Sequence, residues 1–134
     1  RMNKLEYIAG DLVMTKTQPN HFIPNGIVCE FVSYSDRNKV FVRETKGIDA
    51  FSLKEKEITH IPLTPEILKK NGWKKFKRPY SRDYCFRRKG YPTLNIRSEK
   101  EVYFHWGDHD KSITTVHQLQ HLLFSLELNS EMEV

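Results

Sequence analysis

The sequence predicts an α+β fold in which an N-terminal SH3-like small β-barrel precedes a strand-rich unit with two short helices. Residues 5–63 contain about five short β-type runs and no helical periodicity, which is typical of a small barrel. Residues 64–128 contain further alternating runs between two segments that carry helix-capping residues. A chain of 134 residues can hold two small cores, and its last residues, 129–134, form an acidic tail with Glu131 and Glu133.

The five runs of the first unit are rich in β-branched and aromatic residues and are separated by glycine or polar turns. In chain order they are Gly10–Thr15, Gly26–Ser35, Lys39–Glu44, Ile48–Leu53 and Glu57–Leu63. The second run is long enough to bend. The segment Thr17–Gly26 is the predicted long first loop, and its Phe22-Ile23 pair either covers the barrel end or faces a partner.

The second unit begins with a short predicted helix. Thr64 is a favourable N-cap, Pro65 fits the first helical position, and Glu66 suits the positive end of the helix dipole. Gly72 can end the helix in the left-handed conformation. These signals predict a helix that ends near Gly72, and they place the boundary between the two units at Thr64.

The last predicted element is a second helix. Thr115 and Gln118 form a capping-box pattern at its start. The apolar residues that follow at helical spacing are Val116, Leu119, Leu122, Leu123 and Leu126. Phe104 and Trp106 alternate with polar residues in a preceding strand-like run, so we expect this apolar stripe to pack against them or their neighbours.

The charge distribution gives the main indication of function. The formal net charge is +5, and ten of the 22 Lys and Arg residues lie within Lys69–Lys89, where Asp83 is the one acid. Basic side chains bind phosphates by releasing counterions, and aromatic rings stack on bases. This pattern favours an anionic ligand, nucleic acid or nucleotide, on a basic-aromatic face. The predicted ligand-binding residues are Trp73, Lys74, Lys75, Lys77, Arg78, Tyr80, Arg82, Arg87, Arg88, Arg97, Tyr103 and His105.

A second interpretation of the same residues is a solvated sheet face whose charge is neutralised by the acidic tail. Charge runs in proteins are usually solvated faces of this kind. The sequence leaves both interpretations open, because either a ligand or the tail can compensate the repulsion between crowded basic residues.

The sequence supports a catalytic site or a metal site less strongly than an anion-binding surface. His117 and His121 lie one helical turn apart, but the pattern lacks the glutamate of zinc proteases and a complete ligand set, so we expect no metal and no cofactor. Cys29 and Cys85 lie in strand-like runs rather than at a helix N-terminus, where a thiolate would be stabilised. We therefore expect a non-enzymatic protein, with a zinc-dependent hydrolase as the remaining enzymatic alternative.

Two stretches carry a family resemblance: IPLTPEILKKNGW at 61–73 and TVHQLQHLLFSL at 115–126. Together they resemble small proteins of unknown function encoded by phages and prophages of gut Bacteroidales-type bacteria. In those proteins a Pro-Leu-Thr-x-Glu helix that ends in Gly-Phe or Gly-Trp precedes strands and a closing Val-His-Gln-Leu-Gln helix. The resemblance covers residues 61–128. It implies a mobile-element setting and the same two-helix frame, without a known activity.

These observations lead to the expectation of a phage-derived accessory binding protein. The alternative is a protein–protein interaction module, such as an inhibitor of a host defence factor or a homo-oligomeric assembly piece. The two cysteines form no disulfide framework, no secretory signal opens the sequence, and no apolar run reaches the roughly 20 residues that span a bilayer. We therefore expect a location in the cytoplasm of a bacterial host and no membrane partner.

Overall fold

The fold is α+β, with antiparallel sheets and two short helices, as the sequence predicts. The computed structural model describes residues 6–77, 79, 84–96, 104–106 and 109–134. The chain divides into two compact units, Arg1–Ile61 and Pro62–Val134, so the boundary falls two residues before the predicted position at Thr64. No helix within the described ranges is long and apolar enough to cross a membrane.

The first unit is built on a five-stranded antiparallel sheet. Its strands are β1 (Leu12–Thr15), β2 (Val28–Ser35), β3 (Lys39–Glu44), β4 (Ala50–Lys54) and β5 (Ile58–His60). They lie in the order β4-β3-β2-β1-β5, and a 3₁₀ turn at Glu55–Glu57 precedes β5. In the described chain β5 pairs with β1, and no ladder joins β4 to β5. The sheet is therefore not a closed barrel, and the predicted SH3-like barrel is not confirmed.

The alternation of side chains along the strands decides which side of this sheet is the core. On β3, Val40 and Val42 are fully buried, whereas the residues between and beside them are exposed or half-buried. The register of β2 against β3 shifts between Phe31 and Ser33, a β-bulge that bends the long second strand. The core cluster consists of Tyr7, Val13, Ile23, Cys29, Phe31, Val40, Val42, Leu53 and Ile58.

Both helices begin where the sequence predicts. They are α1 (Pro65–Lys70) and α2 (Val116–Ser125). The hydroxyl oxygen of Thr64 accepts a hydrogen bond from the Ile67 N–H at 3.2 Å, which satisfies one of the unpaired amides of the first turn. Thr115 and Gln118 form the predicted capping box at the start of α2.

Helix α1 ends in a Schellman turn. Gly72 adopts a φ of +94°, a conformation in which a side chain would be strained. The Trp73 N–H donates to the Leu68 carbonyl at 3.0 Å, and the Gly72 N–H donates to the Lys69 carbonyl at 3.2 Å. Leu68 and Trp73 are both buried, as the apolar contact that accompanies this turn requires. The predicted end of the helix near Gly72 is thus confirmed.

Two small antiparallel sheets complete the second unit. One has the order β6-β7-β8, and the other is a hairpin of β9 and β10. These strands are β6 (Lys74–Lys77), β7 (Tyr84–Arg87), β8 (Leu94–Ile96), β9 (Phe104–Trp106) and β10 (His109–Lys111). Strand β6 is an edge strand of its sheet, and it starts directly after the Schellman turn of α1.

Most of the predicted apolar stripe of α2 is buried. Its fully buried members are Val116, Leu119 and Leu123, and its half-buried members are Leu122 and Leu126. His117 and Gln120 are also buried, so the buried face of the helix is wider than the apolar stripe. The predicted packing partners Phe104 and Trp106 have side chains outside the described part of the structure.

Replacing Leu123 by alanine should lower the free energy of unfolding by roughly 2–5 kcal/mol, because a fully buried leucine loses its apolar contacts and leaves a cavity. The matched control is Phe124→Ala at the next helical position, where the ring is 67% exposed. A surface change of this kind costs less than about 0.5 kcal/mol. Urea unfolding followed by circular dichroism measures both variants. Equal losses would contradict the assigned buried face.

Candidate anion-binding surface

Strand β6 presents four consecutive exposed side chains at the edge of the three-stranded sheet. Lys74 lies directly opposite Arg87 of β7, and Phe76 follows on the same side of the sheet. Lys75 and Lys77 point to the other side, because side chains alternate along a strand. Exposed cations therefore flank this edge on both sides. We define the β6–β7 basic patch as Lys74, Lys75, Lys77 and Arg87.

The first side of the patch combines two cations with an open aromatic ring. Lys74 and Arg87 are directly opposed in the antiparallel register, an arrangement that is unfavourable for like charges. The guanidinium carbon of Arg87 lies 5.5 Å from the ring centroid of Phe76. Phe76 is 46% exposed. This side offers two positive charges beside a ring surface, the combination that binds a phosphate and a base.

The second side of the patch is built around Tyr84. The Lys75 ammonium lies 3.9 Å from the centroid of the Tyr84 ring, a short cation–π contact. Lys77 lies directly opposite Tyr84 in the register of the two strands. Tyr84 is half-buried, so it orients the lysine and still has an accessible part. The charges on this side are therefore held near the sheet instead of being spread freely in solvent.

Trp73 is a core residue, which corrects its predicted role as a stacking group. It is 1% exposed, and its indole N–H donates to the Pro92 carbonyl at 3.4 Å. Its ring packs edge-on against Tyr91 at 5.5 Å, and the Arg88 guanidinium carbon lies 5.0 Å from it and 3.8 Å from the Tyr91 ring. The indole is thus covered, because the Schellman turn of α1 directs it into the interior. Arg88 is engaged in this aromatic cluster.

The basic patch has no carboxylate partner among the described residues. No described ion pair involves any of its four cations, whereas Arg43 of the first unit donates to Glu30 at 2.7 Å. The acidic tail does not fill this role by direct contact. Glu131 and Glu133 are exposed and form no ion pair with the patch, and Asn71 contacts the main chain of Glu133 instead.

Several predicted ligand-binding residues lie outside the described part of the structure. They are Arg78, Tyr80, Arg82, Arg97 and Tyr103, together with the side chain of His105. The structure thus brings Lys74, Lys75, Lys77 and Arg87 together, moves Trp73 and Arg88 into an aromatic cluster, and leaves the rest of the predicted set as a prediction.

The histidine pair of α2 packs as two neighbouring rings. The centroids of His117 and His121 lie 5.6 Å apart in an edge-to-face arrangement, and His117 is buried. Within the described ranges no group of three or more His, Cys, Asp or Glu residues could hold a metal ion. The pair supports packing of α2, and the absence of bound zinc stays a prediction.

The sequence left open whether Phe22 and Ile23 of the long first loop are buried or exposed, and the structure buries one and exposes the other. Ile23 belongs to the core of the first unit, whereas Phe22 is 98% exposed. The loop is braced on both sides of Phe22: the His21 ring nitrogen Nε2 lies 2.7 Å from the Glu57 carboxylate, and the Thr17 hydroxyl donates to the Ile23 carbonyl at 2.8 Å. The backbone that carries the exposed Phe22 ring is therefore held in place by contacts on both sides.

Sequence reasoning missed two exposed apolar residues. Phe76 was not among the predicted ligand-binding residues, yet it follows Lys74 with the period of two that places both on one side of a strand. Ile48 was placed at the start of a strand, but β4 begins at Ala50 and Ile48 lies 97% exposed in the turn before it. The alternation of β6 could have identified Phe76. No signal in the sequence distinguished Ile48.

Comparison with known proteins identifies no relative of this chain. No protein family, no curated protein and no solved structure matches it.

Neither cysteine should react with a thiol reagent in the folded protein. Cys29 and Cys85 are both buried, and burial, followed by the nearby charge of Glu44, raises the pKa of the Cys29 thiol to about 11. At pH 8, below that pKa, the unreactive thiol predominates over the nucleophilic thiolate. Titration with a coloured disulfide reagent should detect less than one thiol per chain before urea is added and two afterwards. Rapid labelling of Cys29 without urea would contradict the inert assignment.

Proposed function

We propose that this chain is a non-enzymatic accessory protein of phage or prophage origin that binds single-stranded nucleic acid along strand β6, in the cytoplasm of a bacterial host. One observation carries the proposal: Lys74 and Arg87 face each other across the strand pair, beside the exposed ring of Phe76 and without a described carboxylate partner. Like charges directly opposite one another destabilise a sheet, and a bound phosphate removes that repulsion.

The distribution of the patch favours a polymer over a single nucleotide. Lys75 and Lys77 are two residues apart on one side of β6, so their Cα atoms are separated by roughly 6.6–6.8 Å along the strand. Lys74 and Arg87 add charge on the opposite side of the same edge. A single phosphate cannot contact both sides, whereas a strand lying along the edge can. Bases stack on exposed rings without sequence preference, so we expect binding that is sensitive to salt and tolerant of sequence.

Edge lysines have a structural effect that also needs testing. Lysine on an edge strand prevents pairing with the sheets of other molecules, and β6 is an edge strand with three lysines. This protective role requires charge but no ligand. The two roles differ in one measurable respect, because only a binding surface shows saturable affinity that falls with salt.

Reversing Lys74 and Arg87 to glutamate should weaken binding of a fluorescent 20-mer at least roughly tenfold at 50 mM salt, because two of four phosphate contacts are lost. Four contacts to a single strand give a log–log salt slope of about −2.8, and two give about −1.4. The matched control reverses Lys39 and Lys54, which also face each other across a strand pair, in the first unit. Fluorescence anisotropy between 50 and 200 mM salt measures all three proteins.

Two results would reject this proposal. If both double variants lose affinity equally, binding reflects net charge and not the patch. If micromolar intact protein produces no shift of the 20-mer at 50 mM salt, nucleic acid is not the ligand.

Replacing Phe76 by alanine should weaken oligonucleotide binding roughly fivefold or more, because a base stacked on an aromatic ring contributes about 1–3 kcal/mol. Phe41→Ala is the control, since Phe41 also stands on a strand beside basic residues and is 44% exposed, close to the 46% of Phe76. Inorganic polyphosphate, which has charge but no bases, should bind the intact protein and the Phe76 variant equally. A loss of polyphosphate affinity in that variant would show that the ring supports the patch instead of stacking.

We also propose that the first unit is an SH3-like sheet that can bind a protein, the second candidate function. The strand order and the 3₁₀ turn before β5 support the SH3-like arrangement. Phe22 and Ile48 are almost fully exposed, and the segments that carry them leave the sheet at the same end. At that end Val28 pairs with Met14 on one side and accepts from the Thr45 N–H on the other. Exposed apolar side chains at one end favour a protein partner.

A further inference from the structure

The acidic tail is held by side chains of the second unit and not by strand pairing. The Asn71 amide donates to the Glu133 carbonyl at 2.7 Å and accepts from the Glu133 N–H at 2.8 Å. The Gln120 amide donates to the Ser130 carbonyl at 3.1 Å, and the Lys70 ammonium lies 3.1 Å from the Val134 main-chain oxygen. All four contacts are made to main-chain atoms of the tail.

The turn after α2 sends the chain back toward Gln120 and α1. Glu127 adopts a φ of +59°, and the Leu128 N–H donates to the Leu123 carbonyl at 2.9 Å. This is a second Schellman turn, with glutamate where glycine is usual. The tail therefore starts at a fixed point and continues along the helices.

Exposure alternates along the tail. Ser130, Met132 and Val134 are half-buried, whereas Glu131 and Glu133 are exposed. A period of two is the pattern of an extended segment with one side against a surface. In recognition of extended peptides, main-chain hydrogen bonds supply affinity and alternate side chains supply specificity. The tail shows both features.

We propose that the C-terminal end of α1 and the adjoining side of α2 form a peptide-recognition site that the tail of this chain occupies. Its ligand in another protein is an extended peptide with apolar residues at alternate positions and acids between them, the pattern that the bound tail displays. The Lys70 ammonium adds a contact to the main-chain oxygen of Val134 at the end of this segment. This proposal does not depend on nucleic-acid binding.

The Asn71 amide is oriented independently of the tail. The Asn71 amide also donates to the Ile67 carbonyl at 2.7 Å, a contact within the end of α1 that fixes the amide orientation. Gln120 is buried in the intact chain, where its amide contacts Ser130. Loss of the tail therefore leaves the Asn71 amide oriented and breaks no strand pairing. A ligand meets a preorganised site, which reduces the entropy cost of binding.

A tethered tail competes strongly with a free peptide. A short tether gives an effective concentration in the millimolar range, so the intact chain should bind an external peptide much more weakly than a truncated chain does. The same reasoning explains how the site can remain closed until a ligand of higher affinity arrives. Both consequences can be measured with one peptide.

The test uses a chain that ends at Leu128 and a synthetic peptide with the sequence of residues 129–134. Calorimetry should show the peptide binding the truncated chain at least tenfold more tightly than the intact chain. A peptide of the same composition, in which Met132 and Glu133 are exchanged, should bind at least tenfold more weakly, because it keeps the charge and loses the alternation. If the truncated chain does not fold, Met132 and Glu133 are exchanged within the intact chain, which should release the tail without shortening it. Calorimetry should then show tighter binding of the unchanged peptide than the original intact chain gives.

Asn71→Ala in the truncated chain should reduce peptide affinity at least tenfold, whereas Asn20→Ala in the first unit should not change it. Equal binding of the two peptides would overturn the proposal, since the alternation of side chains would then contribute nothing to recognition. Equal binding by the truncated and intact chains would overturn it as well. A concentration-dependent dimer that disappears on truncation would support the site, with the tail of a second copy as the ligand.

Discussion

The second unit depends on one backbone constraint, the left-handed turn at Gly72 that ends α1. A Cβ atom at this position would lie 3.4 Å from Nε of Arg88, and the φ of +94° would strain any side chain. The turn allows Trp73 to be buried and starts β6 at the next residue. A shift of one residue would exchange the two sides of β6. The turn therefore also decides where Lys74 and Phe76 point.

Stability and charge conflict at the β6–β7 basic patch. In the first unit, Lys39 also faces Lys54, but acids follow at Glu55 and Glu57. In the second unit, the stretch from residue 67 to 82 contains no acid. A locally unfavourable arrangement without visible compensation is expected more often at functional sites than elsewhere. The conflict is the physical reason for proposing a ligand for this surface.

The tail and the β6–β7 basic patch both lie next to the C-terminal end of α1. Asn71 binds the tail, and the patch begins three residues later at Lys74. The tail contributes main-chain atoms and half-buried Met132 to its contacts, while its carboxylates remain in solvent. The main chain of the tail therefore holds it in place, whereas its carboxylates carry the charge and make no described contact with the protein. A surface that loses the tail keeps its own hydrogen bonds and gains an open site.

The sequence by itself determined the elements whose signals are local. Thr64 and Pro65 start α1, Gly72 ends it, and Thr115 with Gln118 starts α2, because capping requires only neighbouring residues. The concentration of positive charge was equally visible. Tertiary structure decided the rest. Burial of Trp73, exposure of Phe22, the open edge between β4 and β5, and the docked tail all depend on contacts between distant residues, which no local pattern encodes.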